Sequence, residues 1–253
     1  MYKYYEINKQ GHNIRCKIYG NDLRNADKAV IFCTGFAGHK DNGAANGFAQ
    51  KALSKHKNMM VLVFNWPAHG DDVHKKLVLE DCMTYLDLVI REVREQFGIP
   101  DIYCYATSFG GYLVLKYIAD HGDPFRKIVL RCLAVDMYSV LTKAIMKNDE
   151  YDLILKGKDV QVGFDRKIIV TEELLEALKE NDIRRYDYLE YAENILIIHG
   201  TQDEIASFKV SEEFADSNLI EFIPVDGADH RFRNPAHMAE ANKQTLQFMF
   251  RQE

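Results

Sequence analysis

Along most of the chain the apolar residues come in short, nearly unbroken runs rather than in alternation with polar ones. Residues 29–34, 59–65, 102–106, 127–133, 195–199 and 219–224 are runs of this kind. A strand with one wet face would alternate, so these runs predict strands buried on both faces, as in a largely parallel sheet. Two earlier segments, 2–7 and 12–19, read as strands that precede it.

Helix-type segments lie between the runs. Over 78–97 the apolar Cys82, Leu86, Val89, Val93 and Phe97 recur at three- or four-residue spacing, and Gly98 and Pro100 then stop the helix. Residues 111–121 form an apolar helix. Asn234 is a favoured capping type and Pro235 is pre-set for a first helical position, which predicts a last helix running to about residue 252. Strand then helix, repeated, is α/β architecture. The rhythm breaks once, over 136–190, where the sixth strand, 127–133, is followed by far more chain than one crossover needs. This reads as a cap insertion in a single domain spanning 1–253. It holds a helix-like piece (137–147), a hairpin punctuated by Gly157 and Gly163 (153–170), and a helix that Thr171 caps.

Composition narrows the function. With 253 residues, 47% hydrophobic and 28% charged, the chain can bury a large core, and its net charge of −6 without a basic run argues against nucleic acid as a partner. No apolar run approaches the roughly 20 residues of a membrane helix, and the N-terminus lacks a signal-peptide core. The expectation is a soluble cytoplasmic protein acting on a small molecule, with no signature of a particular oligomeric state. Five cysteines, scattered singly, read as buried free thiols.

The sharpest chemical signal is Ala106-Thr107-Ser108-Phe109-Gly110-Gly111, between a strand and an apolar helix. A nucleophile on so tight a turn needs small residues two before and two after it, and Ala106 and Gly110 meet that need. The same serine could be no more than a helix cap. Two further residues favour the nucleophile: Asp203 follows the strand 195–199, and His230 follows the strand 219–224. Ser, Asp and His at the C-terminal ends of successive strands are where an open parallel sheet gathers a site. Asp136, just past the run 127–133, is the alternative acid. The turn Thr34-Gly35-Phe36-Ala37-Gly38-His39 follows the run 29–34, and the backbone N–H groups of Phe36 and Phe109 are the candidate oxyanion donors, with Gly35 and Gly38 allowing the sharp turn.

These stretches, with His199-Gly200-Thr201-Gln202-Asp203-Glu204 and Gly227-Ala228-Asp229-His230-Arg231-Phe232, resemble the α/β-hydrolase superfamily over nearly the full length. Among its members they are loosely similar to small bacterial cinnamoyl (feruloyl) esterases. In the loop 64–70, Asn65, Pro67 and Ala68 replace the Asp, Arg and first Gly of an F-D-x-R-G-H-G-like stretch found in relatives. The resemblance implies an α/β-hydrolase fold with a small cap, and a serine hydrolase that cleaves a carboxylic ester through an acyl-enzyme. An acyltransferase, a thioesterase or a non-catalytic ligand-binding member would carry the same residues.

Of the cap aromatics Tyr138, Tyr151, Phe164, Tyr186 and Tyr188, with Tyr191 just beyond, Tyr138 and Tyr188 are the candidate pocket walls. His39, His69 and His74 fall on loops near the same edge. Without H-E-x-x-H or paired spacing they read as solvated, and no metal or nucleotide cofactor is implied.

Overall fold

A computed structural model describes residues 1–251, so the expected end of the last helix at Gln252 lies outside the described residues. Ten strands and eight helices follow in chain order: β1 (Tyr2–Lys9), β2 (His12–Gly20), β3 (Lys28–Cys33), α1 (Gly43–Lys55), β4 (Met59–Phe64), α2 (Leu79–Glu95), β5 (Asp101–Thr107), α3 (Phe109–His121), β6 (Ile128–Arg131), α4 (Met137–Ser139), α5 (Asn148–Ile154), β7 (Val160–Val162), β8 (Ile168–Val170), α6 (Glu172–Glu180), β9 (Ile195–Gly200), α7 (Phe208–Ser217), β10 (Glu221–Val225) and α8 (Pro235–Met249). Eight strands form one sheet in the order β1-β2-β4-β3-β5-β6-β9-β10. The first two pairings, β1 with β2 and β2 with β4, are antiparallel, and every later pairing is parallel.

The unbroken apolar runs have a direct cause. Alternate side chains of one strand enter opposite cores: Val30 and Phe32 pack with Phe48 of α1 and Leu246 of α8, whereas Ala29 and Ile31 pack with Leu86 of α2 and Leu113 of α3. Both faces are dry, so no position of the pleat calls for a polar residue.

Chain order reverses between β3 and β5, since β3 lies between β4 and β5. The helix after β3 covers one face and the helix after β5 the other, so the two loops part and leave a crevice at the strands' C-terminal ends. Turns 34–38 and Ser108 border that crevice.

The chain between β6 and β9 forms the cap. Met137–Ser139 begins as an α-helix and widens into a π-type turn over Val140–Ile145, instead of one continuous helix over 137–147. The strands β7 and β8 pair as an antiparallel hairpin, and Thr171 accepts a hydrogen bond from Leu174 N to cap α6. A bridge between Lys76 and Ile169 ties the hairpin to the loop ahead of α2. No helix among the described residues is long and apolar enough to cross a membrane.

Candidate active site

The site is assembled from one strand-to-helix turn and two loops. Ser108 ends the turn from β5 into α3 with φ 52° and ψ −118°, a backbone conformation that a serine adopts only under constraint from its surroundings. Part of that constraint is Gly110: a Cβ there would stand 2.5 Å from the Cys33 carbonyl oxygen and 2.6 Å from that of Thr34. Only glycine lets the helix start so close to β3. At the other flank Ala106 is accommodated, fully buried.

Ser108 stands at the N-cap of α3 yet makes no side-chain capping bond, which answers the plain reading of this residue as a cap. Its Oγ lies 3.1 Å from His230 Nε2 instead. On the other side of the ring, His230 Nδ1 lies 2.9 and 2.8 Å from the two Asp203 oxygens. A carboxylate facing Nδ1 fixes the proton there, leaving Nε2 to accept from the serine hydroxyl.

Asp203 is also an acceptor for Ile205 N and Ala206 N, at 2.9 and 2.8 Å, and its Oδ2 stands 3.0 Å from His199 Nε2. Burial alone would push its carboxyl up, but the hydrogen bonds from His199 and His230 outweigh it and hold the group well below the usual carboxylate range. Asp136 is elsewhere: it caps α4 through Ser139 N at 3.0 Å and pairs with Arg184 at 3.2 Å. The acid that meets His230 is therefore Asp203.

The turn after β3 differs in detail from expectation. Its left-handed residue is Ala37, at φ 59°, and neither Gly35 nor Gly38. Those glycines are required for close approach: a Cβ on Gly35 would lie 3.2 Å from Ser108 Cβ, and one on Gly38 would lie 2.7 Å from Thr34 Cβ. Neither Phe36 N–H nor Phe109 N–H has an acceptor among the described residues. Their rings meet edge to face at 6.0 Å.

Behind this turn stands the loop 65–72. Asn65, in place of the relatives' Asp, is buried, accepts from Lys40 N at 2.7 Å and donates to Asp71 at 2.6 Å. Trp66 Nε1 donates to the Thr34 carbonyl at 2.8 Å, which fixes the entry to the turn. His69, expected to be solvated, is fully buried, with its ring stacked on Phe109 and edge-on to Phe36. Burial pushes its pKa down to about 4, so it is neutral. His74 is not free either: Nδ1 lies 2.9 Å from Asp72 and the Tyr85 hydroxyl 3.0 Å from that nitrogen. His39 is half-buried and borders the crevice.

A cavity of about 420 Å³ opens onto Ser108 and His230. The cap supplies Ile145, Phe164, Asp165 and Arg166 to its wall. Tyr138 and Tyr188 are not among the described residues that line it. The Tyr138 hydroxyl bonds that of Tyr151 at 2.9 Å, while Tyr188 is fully buried, donates to the Leu115 carbonyl at 3.3 Å and packs on Phe214. Tyr138 belongs to the cap's own packing, and Tyr188 to the core against α3 and α7.

All five cysteines are free and buried. Cys132 alone among them borders the cavity, and its sulfur lies with the ligating atoms of Asp203 and His230 within 4.8 Å. Burial pushes this thiol well up, as does the Asp203 charge, so it stays protonated beside the triad.

A family model of the α/β hydrolase fold matches residues 28–164, more than half of the chain. The chain belongs to the α/β-hydrolase fold family. Its eight-stranded, mostly parallel sheet is similar to that of Est1E from Butyrivibrio proteoclasticus, solved with ferulic acid bound, at 16% identity and a TM-score of 0.77, with 97% of this chain and 99% of that one covered. A monoacylglycerol lipase from Paleococcus ferrophilus aligns at 17% identity and TM-score 0.67, over 98% of each chain. Mouse alpha/beta hydrolase domain-containing protein 10 aligns at 12% identity and TM-score 0.74, over 98% of each chain. At these identities the likeness is one of fold. No curated protein matches the chain by sequence.

His199 is the residue that the sequence reading passed over. Both neighbours of its Nε2, the Asp203 carboxylate and the Ala206 carbonyl at 3.1 Å, are acceptors, so that nitrogen carries the ring proton. A fully buried histidine ending an otherwise aliphatic strand was the available signal.

Proposed function

We propose that the protein is a serine hydrolase that cleaves a small-molecule carboxylic ester through an acyl-enzyme intermediate. The observation that carries this reading is the unbroken line from Ser108 Oγ through the His230 ring to Asp203, at 3.1 and 2.8 Å, with an open cavity on the serine side.

In this reading His230 Nε2 takes the Ser108 proton as Oγ attacks the acyl carbon. The carbonyl oxygen becomes an oxyanion that the Phe36 and Phe109 N–H groups receive, helped by the positive N-terminal end of α3. His230 then gives its proton to the leaving alkoxide. Water, deprotonated by the same ring, attacks the acyl-serine; the acyl–Oγ bond breaks, the ring returns its proton to Ser108 Oγ, and the acid leaves. Asp203 stays ionised throughout, which its depressed pKa supports. The likeness to Est1E and to a lipase supports ester substrates, and a ferulate ester belongs in the substrate panel.

The test is labelling by a fluorophosphonate together with hydrolysis of 4-nitrophenyl esters. Ser108→Ala and His230→Ala should each remove labelling and lower turnover by at least about 1,000-fold, because members of such a triad act as a unit. Retention of a tenth of the activity in either folded variant would overturn the proposal.

A further inference from the structure

The cavity carries positive charge inside a chain whose net charge is −6. Arg131, Arg166 and Arg231 line it against a single acid, Asp165. That acid is 90% exposed and stands 3.6 Å from Arg231, so it offsets one guanidinium of the three. Asp203, behind His230, is already committed to its own donors.

Arg131 is the informative residue. It ends β6, and its carbonyl accepts the Ser108 N–H at 3.0 Å, which places it beside the proposed nucleophile. It is 6% exposed, and its Nε is buried without a hydrogen-bond partner. The guanidinium lies 5.1 Å from the Phe232 ring centroid, Nη1 lies 2.9 Å from the weak acceptor Met238 Sδ, and its other polar neighbour, the Tyr105 hydroxyl, is uncharged. Among the described residues no carboxylate comes within ion-pair distance of it. A buried cation without a counter-ion is costly, and the cost is relieved when an anion arrives. At the same cavity the N-cap Asn42 and the first residues of α1, Gly43 and Ala44, form part of the wall, so the positive end of a 13-residue helix faces the same space.

We infer that the ester taken by this site bears an anionic group, a carboxylate or a phosphate, with Arg131 as its charge partner. The inference rests on the hydrolase reading of Ser108 and names the substrate class for that site. Arg166, which has no ion pair among the described residues, and the α1 N-terminus add to the potential that draws the anion in.

The experiment compares mono-4-nitrophenyl adipate with 4-nitrophenyl hexanoate, which share chain length and leaving group and differ in a terminal carboxylate. In the wild-type protein kcat/KM should favour the anionic ester at least tenfold after correction for spontaneous hydrolysis. Arg131→Met should cut that ratio about tenfold, and Arg131→Lys should keep the greater part of it. A second measurement needs no turnover: adipate and inorganic phosphate are titrated calorimetrically into the Ser108→Ala protein, where at least one should bind and Arg131→Met should weaken it about tenfold. Tighter adipate assigns a carboxylate and tighter phosphate a phosphate ester. Equal kcat/KM for the two esters, with neither anion bound, overturns the inference while the hydrolase reading stands. Anion binding that depends on Arg131, without hydrolysis of either ester, upholds the anion site and overturns the hydrolase reading.

Discussion

His199 Nε2 stands 3.0 Å from Asp203 Oδ2, the same oxygen that lies 2.8 Å from His230 Nδ1. Both side chains of the His199–Asp203 pair are wholly removed from solvent. His199 does not line the cavity, so its part in the proposed reaction is to position Asp203, which in turn orients the His230 ring. His199→Leu should therefore lower kcat about tenfold to hundredfold with KM changed less than about threefold, since small misplacements of a catalytic group carry penalties of that order. His199→Gln, which can still donate to the carboxylate, should recover part of the loss. Steady-state kinetics on one 4-nitrophenyl ester checks this, and an equal fall for both variants would mean that the residue matters for packing alone.

The two candidate acids make separable expectations. Asp203→Asn removes the charge that fixes the His230 tautomer and should lower kcat by about 10,000-fold, as loss of the acid does in triads of this type. Asp136→Ala should leave kcat within about twofold and lower stability by about 1 kcal/mol through loss of the α4 cap. Parallel urea melts and rate measurements on the two variants give both numbers, and a large rate defect in Asp136→Ala would contradict the geometry.

How much was legible in the sequence follows from what each residue type reports. The uniformly apolar runs gave the buried sheet because two dry faces leave no polar phase. Ala106 and Gly110 gave the turn because backbone crowding admits nothing larger. The helices α1 and α7 did not stand out: α1 buries mostly alanines, whose spacing carries little contrast, and α7 is only ten residues long. Aromatic content could not separate Tyr188, buried against Phe214, from Phe164 at the cavity, since both burials draw on the same side chains. Arg131 was visible as a cation at the end of an apolar strand, but its missing counter-ion is a property of tertiary packing alone.

Selectivity should follow the cavity wall and not the cap's interior. Phe164→Ala and Ile145→Ala should each change the ranking of acetyl, butyryl and cinnamoyl esters by about tenfold, equivalent to roughly 1.4 kcal/mol of differential transition-state binding. Tyr188→Ala should instead cost about 3–5 kcal/mol of stability, the usual range for deleting a buried aromatic, and leave the ranking of the folded fraction unchanged. A panel of three esters on each variant, with thermal melts, separates the two effects. A changed ranking in Tyr188→Ala alone would place the specificity in the buried packing against α3 and α7 instead.

His69 makes a further expectation, one of stability against pH. It is fully buried against Phe36 and Phe109, and burial sets its folded pKa at about 4, whereas an unfolded histidine titrates near ~6.5. Between those values the unfolded chain binds a proton that the folded one refuses, so stability rises with pH. The contribution is fully present above about pH 6.5 and is lost as pH falls toward 4, by on the order of 3 kcal/mol over the whole window. His39 and His56, whose pKa values burial also lowers, change stability in the same direction, so the comparison must be differential. His69→Phe keeps a flat ring at the site and removes the titration. Urea unfolding at pH 7.0 and 4.5 should show the wild-type protein losing about 2–3 kcal/mol more than the variant. Equal losses would mean that the His69 ring accepts its proton in the folded state, a charge set against the two phenylalanines whose amides are proposed to hold the oxyanion.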